Sequence, residues 1–166
     1  MKSRGLRVAL ISLSWVPVYI TFAQAIAYIS WIDGPSMKPA LNPDRSLGWR
    51  DLAIVWKYRV REPGAIKVGD IVLFRSPTHP DRIVTKRVLA VGGDQVQTLP
   101  LGGYPKSRVR IPPNHLWVEG DNSTRSVDSN SYGPISSGLV IGKVSGIVFP
   151  PSRIGVDLRG GREARI

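Results

Sequence analysis

The sequence predicts a mainly β domain, a barrel or a sandwich, behind one N-terminal transmembrane helix. Three observations carry that prediction. The 17 glycines and 14 prolines among 166 residues punctuate the chain too often for a long-helix bundle. Between them lie short apolar runs rich in β-branched residues. One stretch breaks this pattern: Val8 to Ile32 holds 25 residues without a charge. At about 1.5 Å per residue a helix of that length exceeds the roughly 30 Å of a bilayer core. The chain therefore divides into a short basic tail (1–7), a span (8–30), a folded domain (31–151) and a basic tail (152–166).

Taken in order, Lys2, Arg4 and Arg7 precede the apolar stretch and Asp33 follows it. Basic residues ahead of a span keep the short tail on the near side and carry the bulk of the chain across. Pro17 removes one helical hydrogen bond, which membrane helices tolerate. A cleaved targeting segment and a buried core helix compete with this reading. The run is longer than a secretory apolar region, and Tyr28-Ile29-Ser30-Trp31-Ile32 is too bulky for its cleavage site. Strands are then predicted at Leu52–Tyr58, Asp70–Phe74, Arg82–Val91, Val96–Leu99, Arg108–Ile111, Leu116–Val118 and Leu139–Phe149, the last interrupted by Gly142 and Gly146. The Gly/Arg-rich tail after Pro150-Pro151 is expected to fray.

The absence of cysteine excludes disulfides, thiolate nucleophiles and Cys-ligated metals. The net charge of +11 fits nucleic acid or an anionic membrane surface. Nucleic acid is the weaker reading, because the basic residues are scattered and no RNA-binding or helix-turn-helix signature occurs.

Three clusters have chemical potential. Ser36 lies in Gly34-Pro35-Ser36-Met37-Lys38-Pro39, where the prolines hold the backbone out of a helix and present the hydroxyl. An ordinary serine in a proline-rich turn has the same signature. A serine nucleophile needs a base. His79 and His115 both sit in polar loops. A lysine is the alternative base. Lys86 stands inside the strand Ile83-Val84-Thr85-Lys86-Arg87-Val88-Leu89, and alternation places it on one face with Val84, Val88 and Ala90. Burial lowers a lysine's pKa and frees its amine to accept a proton. An edge-strand lysine reaching out to water satisfies the alternation equally well. The third cluster, Gly120 to Ser131, is polar throughout. Asp121, Asn122 and Asp128 offer oxygens for calcium, but the spacing and bidentate Glu of an EF-hand are missing.

The order of these clusters resembles the type I signal peptidases: Gly34-Pro35-Ser36-Met37-Lys38-Pro39-Ala40-Leu41 after the span, Gly69-Asp70-Ile71-Val72, Lys86-Arg87-Val88 leading to Gly93-Asp94, and Gly120-Asp121-Asn122 followed by Ser126-Val127-Asp128-Ser129. The resemblance runs from about residue 30 to 151. Leu116–Asp121, Asp128–Pro134 and Pro150-Pro151 narrow it to the mitochondrial inner-membrane members of that family. It implies a signal-peptidase-like catalytic fold, of the barrel or sandwich kind shared with LexA-type repressors. It also implies a serine endopeptidase that removes sorting presequences from proteins bound for the intermembrane space. By position, Ser36 is then the nucleophile, Lys86 the general base, Ser126 the residue that orients the lysine amine and Asp128 a support for the loop. Ile32, Met37, Leu41, Val84 and Thr85 form the small apolar pocket before the cleaved bond. The resemblance implies no metal or cofactor and no nucleic acid. It implies a bilayer, presequence substrates, a homologous protease subunit 1 and a small accessory subunit. Its setting is the mitochondrial inner membrane, crossed once, with the catalytic domain in the intermembrane space.

Two departures from the family pattern follow. Gly34 stands where some bacterial relatives have a serine that donates to the oxyanion, so the Ser36 N–H and a second donor must serve. Asn130 stands where many relatives have an arginine paired with the loop aspartate, so Asp128 is left to hydrogen bonds or to Arg125. Three alternatives remain: an inactive membrane-anchored scaffold, a bacterial-type signal peptidase I, and a self-cleaving relative of the soluble repressors.

Overall fold

The computed structural model describes residues 2–43, 50–100 and 103–159. It opens with helix α1 (Lys2–Ala25), which contains Pro17. Leu10, Ile11, Leu13, Trp15, Tyr19 and Phe22 are all exposed along it. No helix among the described residues is long and apolar enough to cross a membrane.

The helix ends earlier than the apolar run. Residues 27–31, expected inside the helix, form strand β1 (Ala27–Trp31). The cause is tertiary: β2 (Leu52–Trp56) pairs antiparallel with it from Ala27↔Trp56 to Trp31↔Leu52 and takes up its backbone groups. Alternation across the pleat turns Ile29 and Trp31 outward, while Tyr28 packs against the core.

The remaining strands are β3 (Ile71–Arg75), β4 (Ile83–Val91), β5 (Gln95–Gln97), β6 (Arg108–Arg110), β7 (His115–Glu119), β8 (Ile135–Ser136) and β9 (Val140–Phe149). A short helix, α2 (Ser129–Tyr132), lies between β7 and β8. Among the described residues seven strands form one curled antiparallel sheet, a half-barrel, in the order β1-β2-β9-β3-β4-β7-β8. Strands β5 and β6 form a separate ribbon. The expected break of the last strand at its glycines becomes curvature instead. Strand β9 runs unbroken, but its register shifts against β2 and β3. Such bulges bend a strand while keeping it in the sheet. A Cβ on Gly142 would come within 2.9 Å of the Trp56 carbonyl oxygen, so this close approach requires glycine.

Strand β4 is central, bonded to β3 on one side and β7 on the other. That rules out the edge-strand reading of Lys86. A register shift between Val88 and Ala90 also corrects the expected alternation. Val84 and Val88 pack in a cluster with Val72 and Phe74, whereas Leu89 and Ala90 join another with Trp117. A further cluster gathers Ile32, Met37, Leu41, Ala53, Ile71 and Leu73.

The segment after Pro150 does not fray as expected. Pro151–Arg153 make a helical turn, and Leu158 packs against the cluster of Ile32, Met37 and Leu41. The rest of the predicted tail, 160–166, lies outside the described residues.

Candidate active site

Ser36 sits on the connection between β1 and β2. Gly34 starts the turn at φ +92°, a conformation that favours glycine. Met37 and Leu41, four residues apart, are both sealed in the core and join through Leu41 N–H to the Met37 carbonyl at 2.9 Å. They pin the loop and leave Ser36 half-buried at its surface. The loop is also held from the opposite side. The Asn122 backbone N–H donates to the Ser36 carbonyl at 2.9 Å, and its side-chain amide donates to the Pro35 carbonyl at 3.3 Å. The Ser36 N–H has no hydrogen-bond partner among the described residues. It is therefore free to donate to a developing oxyanion.

Gly120 lies where the Ser36 loop meets the polar loop. A Cβ there would come within 2.6 Å of both the Ser36 carbonyl oxygen and Ser126 Cβ. Only glycine lets the two approach this closely. The Asp128 carboxylate organises the polar loop. One oxygen accepts from Ser126 Oγ at 2.7 Å and from the Gly120 N–H at 3.0 Å. The other caps α2 by accepting from the Asn130 N–H and the Asn130 side-chain amide, both at 3.1 Å. The question left by Asn130 is thereby answered: hydrogen bonds satisfy Asp128, with Asn130 itself as a donor. Arg125 makes no ion pair with it among the described residues.

Lys86 is 4% exposed on β4, opposite Val72. Its amine makes no hydrogen bond or ion pair among the described residues. Burial lowers its pKa, against the raising influence of Asp128 and then Asp121. Expectation and geometry part over Ser126. Its hydroxyl donates to Asp128, and no hydrogen bond links it to Lys86. Nor does any bond join Lys86 to the Ser36 hydroxyl. The loops bring Ser36, Ser126, Gly120 and Asp128 together, and Lys86 lies within the electrostatic reach of Asp128.

The expected pocket divides. Ile32, Met37 and Leu41 are buried together in one cluster. Val84 and Thr85 are half-buried on β4, and Val84 packs against the other cluster, beside Phe74. His79 is exposed, and His115 lies 2.9 Å from the Pro113 carbonyl in its own turn. Neither takes part in the site. The carboxylates considered for calcium are otherwise engaged, Asp128 as described and Asp121 by arginine.

That arginine is the feature the sequence reading missed. Arg87, 1% exposed, pairs with Asp121 through two parallel bonds of 2.8 and 2.7 Å. It also donates to the carbonyls of Gly69 and Leu158. Alternation alone puts Arg87 opposite Lys86 but names no partner. The available signal was Asp121, two residues past the end of β7, whose last residue Glu119 is the register partner of Arg87.

A family model described as "Signal peptidase, peptidase S26" matches residues 6–99 and 97–149. Mitochondrial inner membrane protease subunit 2 of Saccharomyces cerevisiae is 46% identical over 159 residues, covering 95% of this chain and 88% of the yeast protein. The subunit 2 of Mus musculus is 41% identical, covering 83% of this chain and 76% of its own. Mitochondrial inner membrane protease subunit 1 of Homo sapiens is 35% identical over 74% of this chain and 69% of its own.

Proposed function

Because the chain belongs to the S26 signal peptidase family, we propose that it is a serine endopeptidase with a Ser36/Lys86 dyad that removes presequences at the mitochondrial inner membrane. The observation that carries this reading is Lys86: a buried amine, unpaired among the described residues, on a central strand, with its pKa lowered by burial.

The chemistry follows from that state. Uncharged Lys86 takes the proton of Ser36 as Oγ attacks the scissile carbonyl carbon. The Ser36 N–H donates to the oxyanion. The C–N bond then breaks, the lysine ammonium returns its proton to the departing amine, and an acyl-enzyme remains. Lys86 next deprotonates water, which attacks the acyl carbon and releases Ser36. Ser126 and Asp128 hold the polar loop against the Ser36 backbone. Of the five residues expected to form the pocket, the half-buried Val84 and Thr85 are accessible to a small apolar residue before the cut, while the sealed Ile32, Met37 and Leu41 support the Ser36 loop from the core.

In this reading α1 attaches the protein to the bilayer, although the described helix is not by itself long and apolar enough to cross it. Leu10, Ile11, Leu13, Trp15, Tyr19 and Phe22 are exposed along it, a pattern that lipid tolerates better than water. The catalytic domain then lies in the intermembrane space, and a homologous subunit 1, with a small accessory protein, completes the assembly. Resistance to carbonate extraction tests the anchor.

The direct test of the dyad is an assay of the full chain on a peptide spanning a presequence junction. Ser36→Ala and Lys86→Ala are each expected to abolish cleavage in a protein that still folds. Lys86→Arg is expected to be equally inert, since a guanidinium stays charged. Full activity in any of the three overturns the dyad.

A further inference from the structure

The loop that carries Ser36 is tied shut at its neck. The Asn42 side-chain amide donates to the Ile32 carbonyl at 2.7 Å, joining the two ends of the loop. Asn42 and Asp51 then bond reciprocally. The Asn42 N–H donates to the Asp51 carboxylate at 2.8 Å, and the Asp51 N–H donates to the Asn42 side-chain oxygen at 2.7 Å. Asn42 adopts φ 51° to make this exchange. Among the described residues the Asp51 carboxylate, 2% exposed, is ion-paired with Arg153, whose Nε lies 2.9 Å away without the alignment of a hydrogen bond. The same guanidinium reaches into the loop itself, where Nη2 donates to the Ala40 carbonyl at 2.6 Å. Arg153 comes from the segment after Pro150-Pro151, beyond the residues that the family model matches. Five residues further on, the Leu158 carbonyl accepts from Arg87 at 2.6 Å, next to Lys86 in the strand.

We infer that Arg153 is a positioning residue for Ser36. It acts through Asp51 and the Ala40 carbonyl to fix the height and orientation of the nucleophile loop. The physical need is plain. Ser36 has no strand of its own, and on this side its loop depends on Asn42, Asp51 and two core side chains. A buried carboxylate without its cation would draw in water and loosen the neck. A displacement of about 1 Å in a reacting group costs on the order of a hundredfold in rate. Arginine suits the position because its fork reaches a carboxylate and a carbonyl together, whereas a lysine ammonium serves one of them. The inference rests on the proposed role of Ser36.

The test uses the full-length chain, purified from membranes with the proteins that accompany it. Arg153→Ala, Arg153→Lys and Ser36→Ala are compared on a presequence-junction peptide. A penem-type agent reports the rate of Ser36 acylation, and rates are taken per folded molecule. Arg153→Ala is expected to lower kcat and the acylation rate by about 30-fold. KM should stay within about twofold and the pH midpoint of the rate should not move, because the base is untouched. Arg153→Lys should recover part of the rate, and it carries the test if the alanine variant does not fold. The inference is overturned if both folded variants acylate within about twofold of the parent, or if the loss falls on KM alone. Cleavage by Ser36→Ala would instead remove the nucleophile assignment, and the positioning role with it. An inert Ser36→Ala beside an unaffected Arg153→Ala would remove the positioning role alone.

Discussion

The two halves of the proposed dyad are held in opposite ways. Lys86 stands in the middle of a nine-residue strand bonded on both sides, and its surroundings come from the sheet. Ser36 stands on a loop whose position comes from a handful of side-chain bonds: Asn42 and Asp51 at the neck, Asn122 from the polar loop and Arg153 behind. The proposed base is built by burial and the proposed nucleophile by hydrogen bonds. A change in the strand should therefore alter the chemistry of the amine, whereas a change around the loop should alter its reach.

The largest effect that sharpens this contrast is the loss of either reacting group. Ser36→Ala and Lys86→Ala should each lower kcat by about 10⁴-fold or more, and the double variant should be little worse than either single one. Additive losses in single-turnover cleavage would show that the two do not act as a unit. Gly120→Ala comes next. Its methyl group would push into the Ser36 carbonyl and Ser126, so it should cost about 1–3 kcal/mol in denaturant unfolding and most of the activity. A variant with unchanged kcat would mean that the two loops need not meet this closely.

The third prediction separates stability from activity at one residue. Lys86→Met should remove activity yet raise the melting temperature at neutral pH. The sign follows from linkage. The folded pKa of Lys86 lies below its unfolded value of about 10.4, so between the two the unfolded chain binds more protons and stability rises with pH. The penalty of the buried amine is present in full below the folded pKa and is gone above the unfolded one. The gain from methionine should therefore fade as pH climbs through that window. A melting temperature that falls at neutral pH would contradict a penalised amine.

The smallest effect concerns Tyr132, whose buried hydroxyl has no hydrogen-bond partner among the described residues and whose pKa is raised by burial. Tyr132→Phe should leave kcat unchanged and stabilise the fold by about 1 kcal/mol, read as a shift of the urea midpoint. A loss of stability would reveal a partner for that hydroxyl.

What the chain declared in advance follows the same division. Seven strands were legible, because β-branched runs between glycines and prolines report directly on a sheet. Lys86 stood out as a cation among Val84 and Val88, although alternation could not say whether its strand was central. Strand β1 was hidden, because Ala27-Tyr28-Ile29-Ser30-Trp31 continues an apolar run and only pairing with β2 marks where the helix stops. The bonds that place Ser36 were hidden for a related reason. Asn42, Asp51 and Arg153 are polar residues scattered over more than a hundred positions, and no local period links them. The Ser126 hydroxyl donates to Asp128, a bond the sequence did not announce, because spacing puts a hydroxyl in a loop without saying which acceptor it meets.

The most direct test of the account is the pH dependence of Ser36 acylation in the full-length chain under single turnover. The account predicts a rate that rises with pH through a midpoint below the ordinary lysine value of about 10.4, and that vanishes in Lys86→Arg at every pH. A midpoint at or above that value, or acylation sustained by the arginine variant, would contradict an uncharged Lys86 as the base.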